Sequence, residues 1–102
     1  MSPGRTANRS DLAIDRDRIW RPHPEVVAER LGEAGVLVDL RSGAIFELNA
    51  TGLRIWELLV SGTPRIEIVG SLAGEFSAPP SEIEADVDDL LQRLSEARLI
   101  QS

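Results

Sequence analysis

Few residues of this chain can do chemistry. Its titratable side chains are 17 Asp and Glu, 11 cationic residues that are all arginine, and one histidine; cysteine and tyrosine are absent. Without cysteine there are no disulfides, no thiolate-held zinc or iron–sulfur clusters and no thiol nucleophile. His23 stands between Pro22 and Pro24 with no Ser/His/Asp arrangement around it, and no Gly-rich phosphate loop occurs. The densest cluster is Glu82, Glu84, Asp86, Asp88 and Asp89. Carboxylates strung along a helix, without a histidine or a looped cage, do not make a donor set for a hard cation. They read either as a solvated helix face or as electrostatic guides for a basic or amide-rich segment. The sequence therefore predicts no catalytic residue, no metal and no cofactor, and points to binding.

Charge narrows the partner. Residues 1–22 carry five arginines against three aspartates, and residues 23–102 carry six arginines against fourteen acids. A strongly acidic body repels phosphate backbones, whose binding rests on Lys and Arg, so no nucleic acid is expected. No apolar run approaches the ~20 residues of a membrane span, and the N-terminal arginines are not followed by the apolar core of a secretory signal. No membrane partner and a cytoplasmic location are expected.

The elements that must position any site follow from periodicity. Residues 1–22 lack a sustained period and read as a mostly disordered tail on which Ile19 and Trp20 can still dock. The domain spans residues 23–102. Glu25–Arg30 and Val36–Leu40 read as strands joined by a Gly32–Gly35 turn, and Ala44–Leu48 as a third strand after the turn Arg41-Ser42-Gly43. Alternation puts Phe46 and Leu48 on the inner face, with Ile45 exposed. From Asn49, a plausible N-cap, the period becomes helical: Leu53, Trp56, Leu59 and Val60 share a stripe, and Ser61-Gly62 ends it. Thr63 caps a second helix with Pro64 in its first turn and a stripe of Ile66, Val69, Leu72, Ala73 and Phe76; Gly70 suggests a close helix crossing. A third helix spans about Ser81 to Arg98, with Ile83, Val87, Leu90, Leu91 and Leu94 on one face. A three-stranded meander must lay one face on helices. The fold class is α+β, a winged helix-turn-helix with a three-stranded antiparallel sheet followed by three helices.

The stretch VLVDLRSGAIFELNATGLRIWELLV, residues 36–60, resembles the signature of the PqqD family: a V-L-x-D-x strand, a Gly-containing turn, an aromatic strand ending in L-N, then x-T-G-x-x-I-W. PPSEIEADVDDLLQRLSEARLI is similar to that family's last helix, with Arg98 where many relatives have glycine. The likeness covers about residues 25–100. It implies a leader-peptide binder, a RiPP recognition element, serving ribosomally made and modified peptides in pathways of the quinone-cofactor or lasso-peptide kind. The leader adds as a strand to the third strand and lies against the third helix. Carried over by position, Ala44, Ile45, Phe46, Glu47 and Leu48 supply the backbone ladder. Val87, Leu90, Leu91 and Leu94 supply an apolar wall, of which some members must be plain core, and Asp86 and Arg93 add polar contacts. The implied partners are a precursor peptide and a separate modifying enzyme, such as a radical SAM enzyme or a leader peptidase. On this reading Ile45→Asp or Leu91→Asp removes leader binding and leaves the fold largely intact. Two other readings stay open: a winged-helix DNA-binding protein, disfavoured by the acidic helices, and a structural partner subunit without a peptide ligand.

Overall fold

The computed structural model describes residues 18–101. Within it the chain forms a short β1 (Arg21–Pro22), a meander of β2 (Val26–Leu31), β3 (Ala34–Asp39) and β4 (Ile45–Leu48), then α1 (Ala50–Val60), α2 (Arg65–Glu75), α3 (Pro80–Glu96) and a terminal β5 (Ile100–Gln101). The sheet order is β2-β3-β4, antiparallel throughout. The expected class, three antiparallel strands followed by three helices, is the one observed.

The pleat sorts β3 into two faces. Gly35, Leu37 and Asp39 are buried toward the helices, while Val36 and Val38 point to the outer face. Gly35, assigned to a turn by sequence, lies inside the strand. A Cβ there would stand 2.9 Å from Leu53 Cδ1 and 3.1 Å from the Glu29 carbonyl, so glycine lets α1 approach the sheet. The turn itself is only Gly32-Glu33, with Gly32 at φ +67, which fits a two-residue hairpin with glycine at its first central position.

The core is one cluster in which Leu37 and Leu48 of the sheet meet Ile55, Trp56, Leu59, Ile68, Leu72, Val87 and Leu94 of the helices. Ile55, outside the stripe read from sequence, is buried because α1 is wedged between the sheet and the other helices. Asn49 caps α1 as expected, its Oδ1 accepting from Gly52 N at 2.8 Å. Three expectations need correction. Helix α2 starts after Pro64, which stands outside the helix in extended conformation, and no side chain caps it, Thr63 included. Its buried face is Ile68, Val69 and Leu72, whereas Ile66 is exposed, as is Val60 on α1. Gly70 mediates no crossing, since no atom lies within 4 Å of where its Cβ would stand.

Two helices end alike, with different residues. After α1, Gly62 takes φ +82, and the amides of Gly62 and Thr63 donate to the carbonyls of Leu59 and Leu58. After α3, Arg98 takes φ +60, and the amides of Arg98 and Leu99 donate to Ser95 and Leu94. Both are Schellman ends, in which the residue past the helix must be left-handed. Glycine meets that without strain, and a side chain does so at a cost of about 1 kcal/mol. Arg98→Gly is expected to stabilise the domain by about 0.5–1 kcal/mol, read as a higher midpoint in urea at unchanged slope. A lower midpoint would show that the Arg98 side chain contributes more than its backbone strain removes.

Residues 1–17 of the expected tail lie outside the described residues. Residues 18–22 run along the domain. Arg21–Pro22 pairs with Ile100–Gln101, the Arg18 carbonyl accepts from Arg65 N at 3.1 Å, and Trp20 packs against the core.

A clamp joins the β3–β4 hairpin to the end of α3. Asp39, buried at the end of β3, accepts from Arg41 N and Nε through Oδ1, both at 2.9 Å, and from Arg41 Nη2 through Oδ2 at 3.0 Å. The same Nη2 donates to the Arg98 carbonyl at 2.7 Å. The hydrogen bond from the Arg41 guanidinium holds the Asp39 carboxyl below its ordinary value of 3.8. A carboxyl with a depressed folded pKa stabilises the fold above its unfolded pKa, and that stability is lost as pH falls through the folded pKa. Asp39→Asn is therefore expected to lower the melting temperature at neutral pH. The gap to the parent protein closes once the pH falls below the ordinary carboxylate range. A gap that is the same at neutral pH and in acid would count against the clamp.

Candidate peptide-binding groove

In an antiparallel pair, every second residue turns its amide and carbonyl toward the neighbouring strand. Asp39 N donates to the Ala44 carbonyl at 2.9 Å, and Leu37 pairs with Phe46 and Gly35 with Leu48. By that alternation Phe46 and Leu48 spend their backbone groups on β3, while those of Ile45 and Glu47 point away from it. Among the described residues no strand pairs with that side of β4, and the N-terminal segment pairs with β5 instead. The result is an open edge of the kind that accepts another chain.

Beside this edge lies a groove of about 210 Å³ between β4, the first turn of α1 and one face of α3. β4 brings Glu47 and Leu48, α1 with its cap brings Asn49, Thr51, Gly52 and Ile55, and α3 brings Asp86, Asp89, Leu90 and Arg93. Leu48, Ile55 and Leu90 lie buried beneath it, and its exposed lining is more polar than apolar. Arg93 spans it, its guanidinium standing 5.1 Å over the Phe46 ring and 3.8 Å from Asp89 Oδ2. Cation–π contact of this kind pins the arginine to β4.

The structure brings together only part of the residue set read from sequence. Leu48, Glu47, Asp86, Leu90 and Arg93 converge on the groove, and Phe46 joins them under Arg93. Ile45, 66% exposed, faces the outer side of the sheet, and Ala44 precedes the strand. Val87 and Leu94 are 0% exposed and belong to the core. Leu91 lies on the opposite side of α3, where a second hollow of about 300 Å³ is lined by Arg18, Trp20, Arg65 and Asp88 among others. The reason is angular: in a helix, Leu90 and Leu91 are about 100° apart, so one apolar stripe serves two sides. Asn49, Thr51, Gly52, Ile55 and Asp89 were missed as groove residues. The only sequence signal for the first four was the L-N-x-T-G-x-x-I block, which local physics already explained as a helix start.

Acids on α3 are also divided. Arg65 holds Asp88 through two bonds of 2.6 and 2.8 Å and reaches Glu84 at 3.6 Å, so these two acids fasten α2 to α3. Hydrogen bonding to Asp88 raises the Arg65 pKa further above its usual value, and the guanidinium stays charged throughout. Another bidentate pair, Arg54 with Glu75, fastens α1 to α2, and Arg30 with Glu57 ties β2 to α1.

The model of one protein family, coenzyme PQQ synthesis protein D (PqqD), matches residues 34–100. That is most of the described chain. The chain belongs to the PqqD family. Two solved structures share the fold. TbiB1, in complex with the TbiA(beta) leader peptide, is 33% identical with a TM-score of 0.75, covering 80% of this chain and 95% of that one. A lasso peptide synthetase B1, complexed with the leader peptide, is 26% identical with a TM-score of 0.76, covering 83% and 100%. No curated protein matches. The matched residues of this PqqD-family chain contain all of β3, β4 and the three helices, and so every residue lining the groove. Among the described residues, no helix is long and apolar enough to cross a membrane.

Proposed function

We propose that this domain binds the leader segment of a ribosomally made precursor peptide as a fourth strand on β4 and presents it to a separate modifying enzyme, with no chemistry of its own. The observation that carries this reading is the open β4 edge lying directly beside the β4–α3 groove. Strand addition draws affinity from main-chain hydrogen bonds and specificity from alternate side-chain pockets. The edge offers the first through Ile45 and Glu47, and the groove offers the second beside Phe46, Leu48 and Leu90. The two solved relatives, each in complex with a leader peptide, support it, and they favour a lasso-type pathway over a quinone-cofactor one. Holding the leader near an enzyme's active site raises the effective concentration of the attached core peptide. A radical SAM enzyme or a leader peptidase, working in the cytoplasm, suits that role. Of the residues that sequence offered for the wall, Leu90 alone remains in the contact set, joined by Ile55 and Thr51.

The test is a titration of the ¹⁵N-labelled protein with leader peptides of precursors encoded beside its gene. Amide shifts are expected along Ile45–Leu48 and at Asp86, Asp89, Leu90 and Arg93. Shifts confined to the face of α3 around Leu91 and Gln92, or none with any of these leaders, would overturn the reading.

A further inference from the structure

We infer that the segment admitted by the groove carries a basic side chain, placed at the Leu48 end of β4; this rests on the strand-addition reading above. Along α3 the groove residues follow at one-turn steps: Asp86, then Asp89 with Leu90, then Arg93. Arg93 stands over Phe46, so the carboxylates stand toward Leu48 and Asn49. A guest strand turns every second side chain toward α3. One of these meets the Arg93-covered Phe46, and the next along meets Leu48, Leu90 and the two aspartates.

The carboxylates there lack cations. Arg65 engages Glu84 and Asp88 on the other side of the helix. Asp86 has no ion-pair partner among the described residues, and Asp89 has only Arg93 at 3.8 Å. Glu47 borders the groove from β4, but the pleat turns its side chain to the outer face with Ile45. Two carboxylates thus face one guanidinium, itself drawn to the far end. α1 contributes no charged side chain, and the positive end of its dipole offsets only about half a charge. Asp86 and Asp89 are three residues apart on one helix face, a spacing at which like charges repel. The protein holds that repulsion at the mouth of the groove, and a lysine or arginine on the guest relieves it. An acidic guest residue at the same position meets two like charges instead.

A yeast-displayed library of ten-residue peptides, sorted against the labelled domain, tests this. Peptides enriched by the parent protein are expected to carry Lys or Arg two or four positions from an apolar residue, and to lose affinity as salt rises. Asp86→Asn combined with Asp89→Asn changes only exposed side chains. It is expected to weaken those peptides about tenfold and to flatten their salt dependence, while peptides bound through apolar residues keep their affinity. If basic residues are not enriched, or the double variant keeps the same preference, the charge inference falls and strand addition stands. If no enriched peptide loses binding when the β4 edge is blocked by Glu47→Pro, strand addition itself falls.

Discussion

Glu47→Pro is expected to reduce leader affinity by on the order of thirtyfold or more, with the fold retained. The outward amide of Glu47 is one of the two donors that β4 presents to a guest strand. Proline removes that donor and puts ring atoms where the guest backbone must lie. The guest carbonyl left without a partner costs about 1–3 kcal/mol when buried, and each 1.4 kcal/mol is tenfold in affinity. The sheet tolerates the change because the Glu47 amide donates nothing to β3, and proline is accepted on edge strands when its missing donor faces outward. Phe46 before it is already extended, as a residue preceding proline must be. Glu47→Ala is the matching control. It keeps the donor and loses the carboxylate, so its effect on an uncharged peptide is small. Calorimetric titration of both variants, alongside circular dichroism, separates backbone from side chain. If Glu47→Pro binds as tightly as Glu47→Ala, the guest does not pair with β4.

Leu91→Asp and Ile45→Asp, equivalent by sequence as losses of leader binding, are expected to part company. Leu91 is 4% exposed and Ile45 66%. An aspartate at position 91 enters the packed side of α3 next to Asp88, and Arg65 is already held by both Asp88 oxygens. Lost apolar burial and an unpaired carboxylate together cost about 4 kcal/mol, against a total stability of about 5–15 kcal/mol for domains in general. The melting temperature is expected to fall by roughly 20 °C, or the cooperative transition to vanish. Ile45→Asp stays within about 0.5 kcal/mol of the parent protein. It weakens a guest strand only through the lost cross-strand pair, on the order of 0.2–1 kcal/mol. Thermal melts decide the matter, and a Leu91→Asp variant melting with the parent would remove Leu91 from the core.

The two substitutions diverge for a reason visible in how much of the site was legible. Period-two and period-3.6 patterns mark which residues of an element share a face, so Phe46 and Leu48 inward and Ile45 outward were readable, as was the Asn49 cap. A pattern does not say what lies opposite that face. The Leu90–Leu91 pair belongs to one stripe, and whether each side of the stripe meets core, groove or hollow depends on where α1, α2 and residues 18–20 come to rest. Gly35 read as a turn residue because glycine marks both turns and close approaches, and only the position of Leu53 tells them apart. Gly70 was read as a contact and faces open space for the same reason. Arg98 stood out in the sequence as a departure from glycine, but the left-handed backbone that explains it belongs to the folded helix end.

By itself the sequence determined the element order, the α+β class, the absence of thiol chemistry and the family likeness, because these rest on local propensity, on composition and on motif spacing. Only the tertiary structure decided that, among the described residues, the outer edge of β4 is left unpaired, that its groove is walled by one turn of α1 and one face of α3, and that Arg65 claims two of the acids while two others face the groove. Those outcomes depend on contacts between residues such as Leu48 and Leu90, or Arg65 and Asp88, that lie far apart along the chain. Their meeting is fixed by the packing of whole elements, which no local pattern encodes.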